Sequence, residues 1–327
     1  MAAEGRKRLA IVIVNYRTAQ LVEQCLESLA DQVDPARDAV VVVDNASGDG
    51  SPETIERTVA ERGWIEWARV IRSPVNGGFS AGNNVGVQAV ESDAYLLLNS
   101  DTIVRPGALP ILLDALDSHP EIDLMAPRLE WPDGAPQESV FRYHTAASEF
   151  IKAACTGPIT RLLGRYEVAL RVQEGPVEFK WASFACILIR RTVFDRIGLM
   201  DEGYFMYYED VDFCRRAREA GLRSLHWPSA RVVHLRGGTS PVKELTAARK
   251  RRPAYYYESR NRYIAKFYGI PGLWAANLCW WAGRCVSLAR EIIGRKKPHV
   301  CEYEGRDIWI NAFRPLRTGP TPKGPSS

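Results

Sequence analysis

Three uninterrupted apolar runs limit what this chain can fold into more than any other feature of its 327 residues. Residues 9–14 (LAIVIV), 39–43 (AVVVV) and 95–98 (YLLL) show no polar alternation. Such runs are typical of strands buried on both faces of a parallel sheet. Helical spacing of apolar residues follows the first run at 21–29, and Pro106 opens another predicted helix. The alternation predicts an α/β fold: a doubly wound, mostly parallel sheet with helices on both faces.

Polar residues stand where these predicted strands end. Asn15 follows the first strand, Asp44 and Asn45 follow the second, and residues 99–101 (NSD) follow the last. In doubly wound sheets, ligands bind outside the carboxyl ends of the strands. We therefore expect the functional site at this edge of the sheet.

The composition changes near residue 241, which predicts a boundary between a main domain of residues 1–240 and a C-terminal region. Residues 243–300 hold 13 Lys or Arg against three Asp or Glu, and residues 273–293 are apolar with three Trp. We expect residues 241–313 to form a basic, Trp-rich helical appendage that contacts a membrane surface or a second subunit. Residues 314–327 are rich in Pro and Gly and are expected to be disordered.

Cysteine usage and the first residues favour a cytoplasmic protein. The seven Cys are odd in number and never spaced as CxxC, which argues against a disulfide framework and a zinc site. Residues 1–8 lack the apolar core of a signal peptide, and no run of about 18 apolar residues predicts a membrane span.

Two acidic residues at strand ends are candidates for ligand binding. Asp101 can hold a hard divalent cation that also binds a diphosphate, although a polar turn closing the strand would need the same residue. Asp44 can accept hydrogen bonds from a ribose or a pyrimidine base, or it can simply form an Asx turn.

A glycine-rich loop spans residues 76–84 (NGGFSAGNN) and precedes a predicted helix. Glycines let backbone N–H groups approach a phosphate, and a helix N-terminus favours negative charge. The loop does not match GxGxxG, and the chain contains no GxxxxGK[ST] motif. An NAD enzyme and a P-loop NTPase are therefore disfavoured.

Glu209, Asp210 and Asp212 lie at the start of a predicted helix, directly after an aromatic run at 205–208 (FMYY). The helix dipole tolerates acids there without any function. A carboxylate among aromatic side chains is partly desolvated, however, which raises its pKa and makes it a better base. This cluster is the strongest local candidate for catalysis, whereas a lone histidine such as His234 is more often structural.

Together these segments resemble glycosyltransferase family 2, the enzymes of GT-A fold, and especially its rhamnosyltransferase-like branch. The resemblance covers residues 9–235 and rests on five segments in the family's order: IVNY, VVDNAS, NGGFSAGNN, LLNSD and FMYYEDVDFCRRAREAG. It implies that residues 1–240 form a GT-A catalytic domain that binds a nucleotide sugar.

The resemblance also implies roles for the matching residues. Nucleotide-sugar binding is implied for the strand ends and the glycine-rich loop: Asn15, Asp44, Asn45, Asn76, Gly77, Gly78, Asn83 and Ser100. Asp101 and His234 are implied ligands of Mg²⁺ or Mn²⁺. Asp210 is the implied catalytic base, supported by Glu209. The implied acceptor or sugar pocket contains Trp181, Phe184 and Asp212.

Two positions depart from the family's pattern. Asn99 stands where many relatives have Asp, so one carboxylate fewer faces the expected metal. Phe184 stands where relatives commonly have a small residue, which puts the identity of the acceptor in doubt.

The resemblance implies an inverting, metal-dependent transferase. The donor would be dTDP-rhamnose or, second, a UDP-sugar, and the acceptor a glycan or a polyprenyl-diphosphate-linked sugar in cell-envelope glycan synthesis. Such an enzyme would work in the cytoplasm or peripherally on the inner face of the membrane, with an anionic membrane surface or a homodimer partner. Nucleic acid is not expected, because no binding motif accompanies the charge. The alternatives are a sugar nucleotidyltransferase and an inactive carbohydrate-binding relative.

Overall fold

A nine-stranded, largely parallel sheet forms the centre of the computed structural model, which describes residues 6–236, 241–294 and 297–317. The predicted apolar runs lie in its first, second and fourth strands. The strands are β1 (Lys7–Asn15), β2 (Asp38–Asp44), β3 (Ala68–Arg72), β4 (Ser92–Asn99), β5 (Thr102–Val104), β6 (Leu124–Glu130), β7 (Val140–Phe141), β8 (Val177–Glu178), β9 (Trp181–Ala182), β10 (Cys186–Arg190) and β11 (Ser224–His234).

The sheet runs in the order β3-β2-β1-β4-β10-β6-β11-β5, with β8 paired to β11. β3, β2, β1 and β4 are mutually parallel, β10 is antiparallel to both of its neighbours, and β11 is parallel to β6. β7 and β9 form a separate two-stranded sheet. The predicted α/β class with a mostly parallel sheet is confirmed.

Helices cover both faces of the sheet, as predicted. They are α1 (Ala19–Leu29), α2 (Ser51–Glu61), α3 (Gly78–Ala89), α4 (Ala108–Ser118), α5 (Ala146–Ala154), α6 (Gly157–Leu162), α7 (Arg191–Ile197), α8 (Glu209–Glu219), α9 (Val242–Ala247), α10 (Ala254–Gly294) and α11 (Glu304–Asp307). α10 breaks at Gly269, whose φ of 71° and ψ of 176° are not helical. Within the described ranges, none of the helices is both long and apolar enough to cross a membrane.

Two apolar cores sandwich the sheet because successive side chains of a strand point to opposite faces. In β1, Leu9 and Ile11 enter one core and Val12 enters the other. α3 packs very close to β1: a Cβ on Gly86 would lie 2.2 Å from Val12 Cγ1. The glycines of this helix thus let it approach the sheet.

The C-terminal helix α10 forms part of the second apolar core. Tyr263 and Leu273 of α10 are buried in the same cluster as Val12. Part of the basic excess is neutralised within the protein, because arginines of residues 243–300 pair with acids elsewhere: Arg251 with Asp307, Arg252 with Glu304, and Arg260 with Glu149. The domain boundary at 240 stays a prediction, and residues 318–327 of the predicted disordered tail lie outside the described residues.

A fully buried ion pair joins α10 to α5. Arg260 Nη2 lies 2.8 Å from Glu149 Oε2, and its Nε donates to the same oxygen at 3.1 Å. Burial alone would raise the pKa of Glu149, but the charges of Arg260 and Lys152 lower it to about 2. Glu149 is therefore charged at neutral pH and balances a guanidinium that has no access to water.

Glu149→Gln should lower the free energy of unfolding by about 3 kcal/mol, because it leaves the buried Arg260 without its counter-charge. Chemical denaturation of the full chain measures this. The matched control is Glu61→Gln, which removes a solvent-exposed partner of Arg57 and should change stability by less than about 1 kcal/mol. Equal effects of the two substitutions would contradict a structural role for the buried pair.

Candidate active site

One cavity of about 210 Å³ opens at the carboxyl ends of β1, β2 and β4, the edge that the sequence predicts. It brings together nine of the predicted site residues: Asn45, Asn76, Gly78, Ser100, Asp101, Phe184, Glu209, Asp210 and His234. These residues are spread over 190 positions of the chain. For the residues that follow β2 and β4, this convergence results from the parallel strands, whose carboxyl ends share one edge of the sheet.

A buried hydrogen-bond network links the carboxyl ends of β1 and β2. Asn15 and Asp44 are register partners, and Asn15 Nδ2 donates to Asp44 Oδ1 at 2.7 Å. Ser47 donates its backbone N–H to Asp44 Oδ2 at 3.1 Å. Both Asn15 and Asp44 are buried and lie behind the cavity rather than in its lining. The predicted contact of Asp44 with a base or ribose stays a prediction.

Asn45 links this network to the glycine-rich loop. Its Nδ2 donates to Asn76 Oδ1 at 3.0 Å and to the Gly78 carbonyl at 2.9 Å. Its Oδ1 is buried without a hydrogen-bond partner while the residue lines the cavity. An unpaired buried acceptor is costly, so a ligand donor at this position would be favoured.

Gly78 is required by the protein's own packing. Its φ is +84°, and a Cβ there would lie 2.0 Å from the Phe205 carbonyl oxygen. Phe79 N–H donates to that same oxygen at 2.7 Å. The start of α3 therefore packs tightly against the loop that precedes Glu209 and Asp210.

Asp101 and His234 lie together in one corner of the cavity. His234 is the register partner of Thr102, which brings its Nε2 to 3.5 Å from Asp101 Oδ1. Asp101 Oδ1 and His234 Nδ1 are buried without hydrogen-bond partners. Burial would raise the pKa of Asp101, but His234 and Lys243 outweigh it and lower that pKa.

The pair fits a divalent cation as two of its ligands. Neighbouring ligands of one Mg²⁺-sized ion lie about 3 Å apart at the usual bond lengths, close to the separation seen here. Among residues 6–236, 241–294 and 297–317, no three His, Cys, Asp or Glu are grouped to hold a metal. The remaining ligands would therefore have to come from water or from a bound diphosphate. Asn99, whose buried Oδ1 has no partner, faces the same cavity.

Glu209 and Asp210 begin α8 after a strained turn. Tyr207 and Tyr208 have φ values of 71° and 68°, a left-handed conformation that costs about 1–3 kcal/mol per residue and is enriched at functional sites. Burial raises the pKa of Asp210 to about 7, against hydrogen bonds from the backbone that lower it. Burial and the neighbouring charge of Asp210 raise the pKa of Glu209 well above its usual value.

Other predicted residues lie away from the cavity lining. Trp181 donates its Nε1–H to the Arg142 carbonyl at 2.7 Å, and its ring stacks on Phe141. Asp212 is buried in ion pairs with Arg216 and Lys266. Gly77 and Asn83 also lie outside the lining. The roles predicted for these four residues remain untested.

The motifs did not reveal several lining residues, of which Lys243 matters most. It lies in α9, and burial followed by the charge of Arg236 lowers its pKa. Burial also lowers the pKa of Arg236. Both cations act electrostatically on Asp101 and would favour a diphosphate beside it. The only sequence signal for Lys243 was the basic composition after residue 241, and Arg236 had none.

Comparison with known proteins identifies the class. The model of the family "Glycosyl transferase family 2" matches residues 10–198, more than half of the chain. An N-acetylglucosaminyl-diphospho-decaprenol L-rhamnosyltransferase of Mycobacterium tuberculosis (strain CDC 1551 / Oshkosh) is 27% identical over 312 residues, which cover 88% of this chain and 93% of that protein. The rhamnosyltransferase WbbL of Escherichia coli (strain K12) is 24% identical, covering 48% of this chain and 60% of its own length.

A solved structure confirms the fold. The mannosyltransferase PcManGT from Pyrobaculum calidifontis, in complex with GDP-Man and Mn²⁺, superposes with a TM-score of 0.54 at 16% identity, covering 96% of this chain and 83% of that chain. The chain is a glycosyltransferase of GT-A fold. It belongs to glycosyl transferase family 2, as the sequence motifs indicated, and the nucleotidyltransferase and binding-protein alternatives give way to this assignment.

Gly78→Ala should reduce sugar transfer by about 100-fold, because the new Cβ collides with the Phe205 carbonyl and displaces the loop before Asp210. The control is Gly50→Ala, which has a similar φ of +82° but nothing within 4 Å of its Cβ. It carries the same backbone strain without the collision and should retain activity. Similar turnover of both variants would contradict the proposed contact.

Proposed function

We propose that this glycosyltransferase moves rhamnose from dTDP-rhamnose to a hydroxyl of a lipid-linked or polysaccharide acceptor in cell-envelope glycan synthesis, with inversion. The observation that carries the proposal is Asp210, a carboxylate with a pKa near 7 in the same cavity as the Asp101–His234 pair. The transferred rhamnosyl group and the lipid-linked acceptor are supported by the relative named as an N-acetylglucosaminyl-diphospho-decaprenol L-rhamnosyltransferase. A UDP-sugar is the second candidate donor.

The donor would bind with its diphosphate beside the Asp101–His234 pair. Asp101 and His234 would hold Mg²⁺ or Mn²⁺, which neutralises a diphosphate leaving group when bound. Lys243 adds a positive charge to the lining at this end of the cavity, and the unpaired Asn45 Oδ1 could accept a hydrogen bond from a hydroxyl or N–H group of the donor. Preorganised charges of this kind stabilise the negative charge that develops on the leaving group.

Asp210 would act as the base. Its carboxylate accepts the proton of the acceptor hydroxyl, and the resulting oxygen attacks the anomeric carbon from the face opposite the diphosphate. The bond from that carbon to the diphosphate oxygen breaks with its electron pair, so the anomeric configuration is inverted and no covalent enzyme intermediate forms. A pKa near 7 suits this role, because the group is partly ionised at neutral pH and still basic enough to take a proton.

The acceptor side is formed by Phe184 and the strained turn. Phe184 lines the cavity, packs edge-on against Phe213, and its backbone hydrogen-bonds to Asp210. A large ring at this position narrows the space in front of the base and would help to select the acceptor. Because a lipid-linked acceptor stays in the bilayer, we place the enzyme peripherally on the inner face of the membrane.

Asp210→Asn should lower kcat by about 10²–10⁴-fold and leave donor affinity unchanged, because the amide cannot accept the proton. In the unsubstituted enzyme, kcat/KM should rise with pH up to about 7 and then level off, since only the ionised carboxylate is a base. Nucleoside diphosphate release and calorimetric donor binding provide the two measurements.

Ser183→Ala is the matched control, because Ser183 lines the same cavity and has no titratable group. It should keep both turnover and the pH profile. If Asp210→Asn turned over at nearly the normal rate, Asp210 could not be the base. A profile that is flat between about pH 5 and 8 would likewise contradict the raised pKa.

A further inference from the structure

The second part of α10 presents a face made only of apolar residues. Between residues 271 and 293, twelve positions are exposed, and none of them is polar or charged. They are Pro271, Trp274, Ala275, Leu278, Trp281, Ala282, Cys285, Val286, Leu288, Ala289, Ile292 and Ile293. A surface helix ordinarily exposes its polar side. We call these residues the apolar face.

The polar residues of this helix point inward and fix its orientation. Asn277 accepts a hydrogen bond from Arg260 Nη1 at 2.8 Å and donates to the Ile308 carbonyl at 3.0 Å. Glu291 accepts a hydrogen bond from the backbone N–H of His299, outside the helix, at 3.1 Å. Rotating the helix to hide its apolar face would break these buried contacts, each costly to lose. The helix therefore lies along the protein surface with its apolar side outward.

Basic residues border the apolar face. Trp274 contacts Phe313, which is followed by the exposed Arg314 and then Arg317. Trp281 lies against Gly305, next to the exposed Arg306. Among described residues 270–317, the exposed charged side chains are four cations and one acid: Lys297, Arg306, Arg314, Arg317 and Glu302. Arg314 and Arg306 therefore place positive charge beside Trp274 and Trp281 of the face.

We propose that the apolar face docks on an anionic membrane surface, with the helix lying in the plane of the headgroups. An apolar helix side with Trp residues and a basic rim is the pattern of interfacial helices, and each cation near an anionic surface adds to the attraction. A second copy of this chain fits less well, because a symmetric pairing would bring the same cations together. Docking through this face would hold the enzyme at the membrane that contains the proposed lipid-linked acceptor. Only this biological purpose rests on the proposed function; the docking itself does not.

Co-sedimentation of the full chain with vesicles tests the docking, with no sugar nucleotide or acceptor present. Vesicles of phosphatidylcholine alone are compared with vesicles that also contain phosphatidylglycerol. The variant Leu278→Glu/Ile292→Glu places two charges on the face at side chains that are 62% and 69% exposed. The control is Ile65→Glu, which changes an equally exposed isoleucine (70%) on a short turn of residues 64–66, before β3.

The unsubstituted chain and the Ile65 control should bind the anionic vesicles alike, and the double variant at least about tenfold more weakly. Sugar transfer to a water-soluble acceptor should be the same in all three, which separates docking from catalysis. If the double variant failed to fold, Ile293→Glu, at an 85% exposed side chain, would replace it. Equal vesicle binding by the variant would overturn the proposal. So would a dimer in sedimentation equilibrium that the substitutions dissociate without changing vesicle binding.

Discussion

Burial of β1 on both faces is the constraint on which the rest of the structure depends. The strand is flanked by β2 and β4 and covered by an apolar core on each side, so polar side chains are excluded along its length. Polar groups can enter only where the strands end. The parallel register then aligns those ends: Asn15 pairs with Asp44, and Val14 pairs with Asn99. Polar side chains therefore collect in a cavity at one edge of the sheet, because the interior of the sheet is apolar.

The C-terminal helix holds the other half of this cavity in place. Ser259 donates to the Met206 carbonyl at 3.0 Å, and Asp201 is bound by Lys266 at 2.8 Å and by Arg262. These contacts hold the chain on the N-terminal side of the turn in which Tyr207 and Tyr208 adopt left-handed conformations. Because Glu209 and Asp210 line the cavity directly after this turn, α10 helps to position the proposed catalytic residues and also forms part of the surface.

The sequence predicted the parts of this architecture that leave a local pattern. The apolar runs marked β1, β2 and β4, and the order of the motifs indicated the family. Insertion of the antiparallel β10 between β4 and β6 left no such pattern, because strand pairing over 60 or more residues depends on tertiary packing. For the same reason, the sequence did not reveal which residues interact with Arg260 and Lys243. Glu149, for example, lies 111 residues from Arg260. The packing role of Gly78 also needed the position of Phe205.

The proposed function can be tested by measuring transfer from dTDP-rhamnose to an N-acetylglucosaminyl-diphospho-polyprenol, with Mn²⁺ or Mg²⁺ and again in excess chelator, beside a panel of UDP-sugars. We expect release of dTDP and a rhamnosylated lipid of inverted anomeric configuration, formed only with the metal present. Undiminished transfer in chelator would contradict the role of Asp101 and His234. A product that retains its anomeric configuration would contradict direct attack assisted by Asp210.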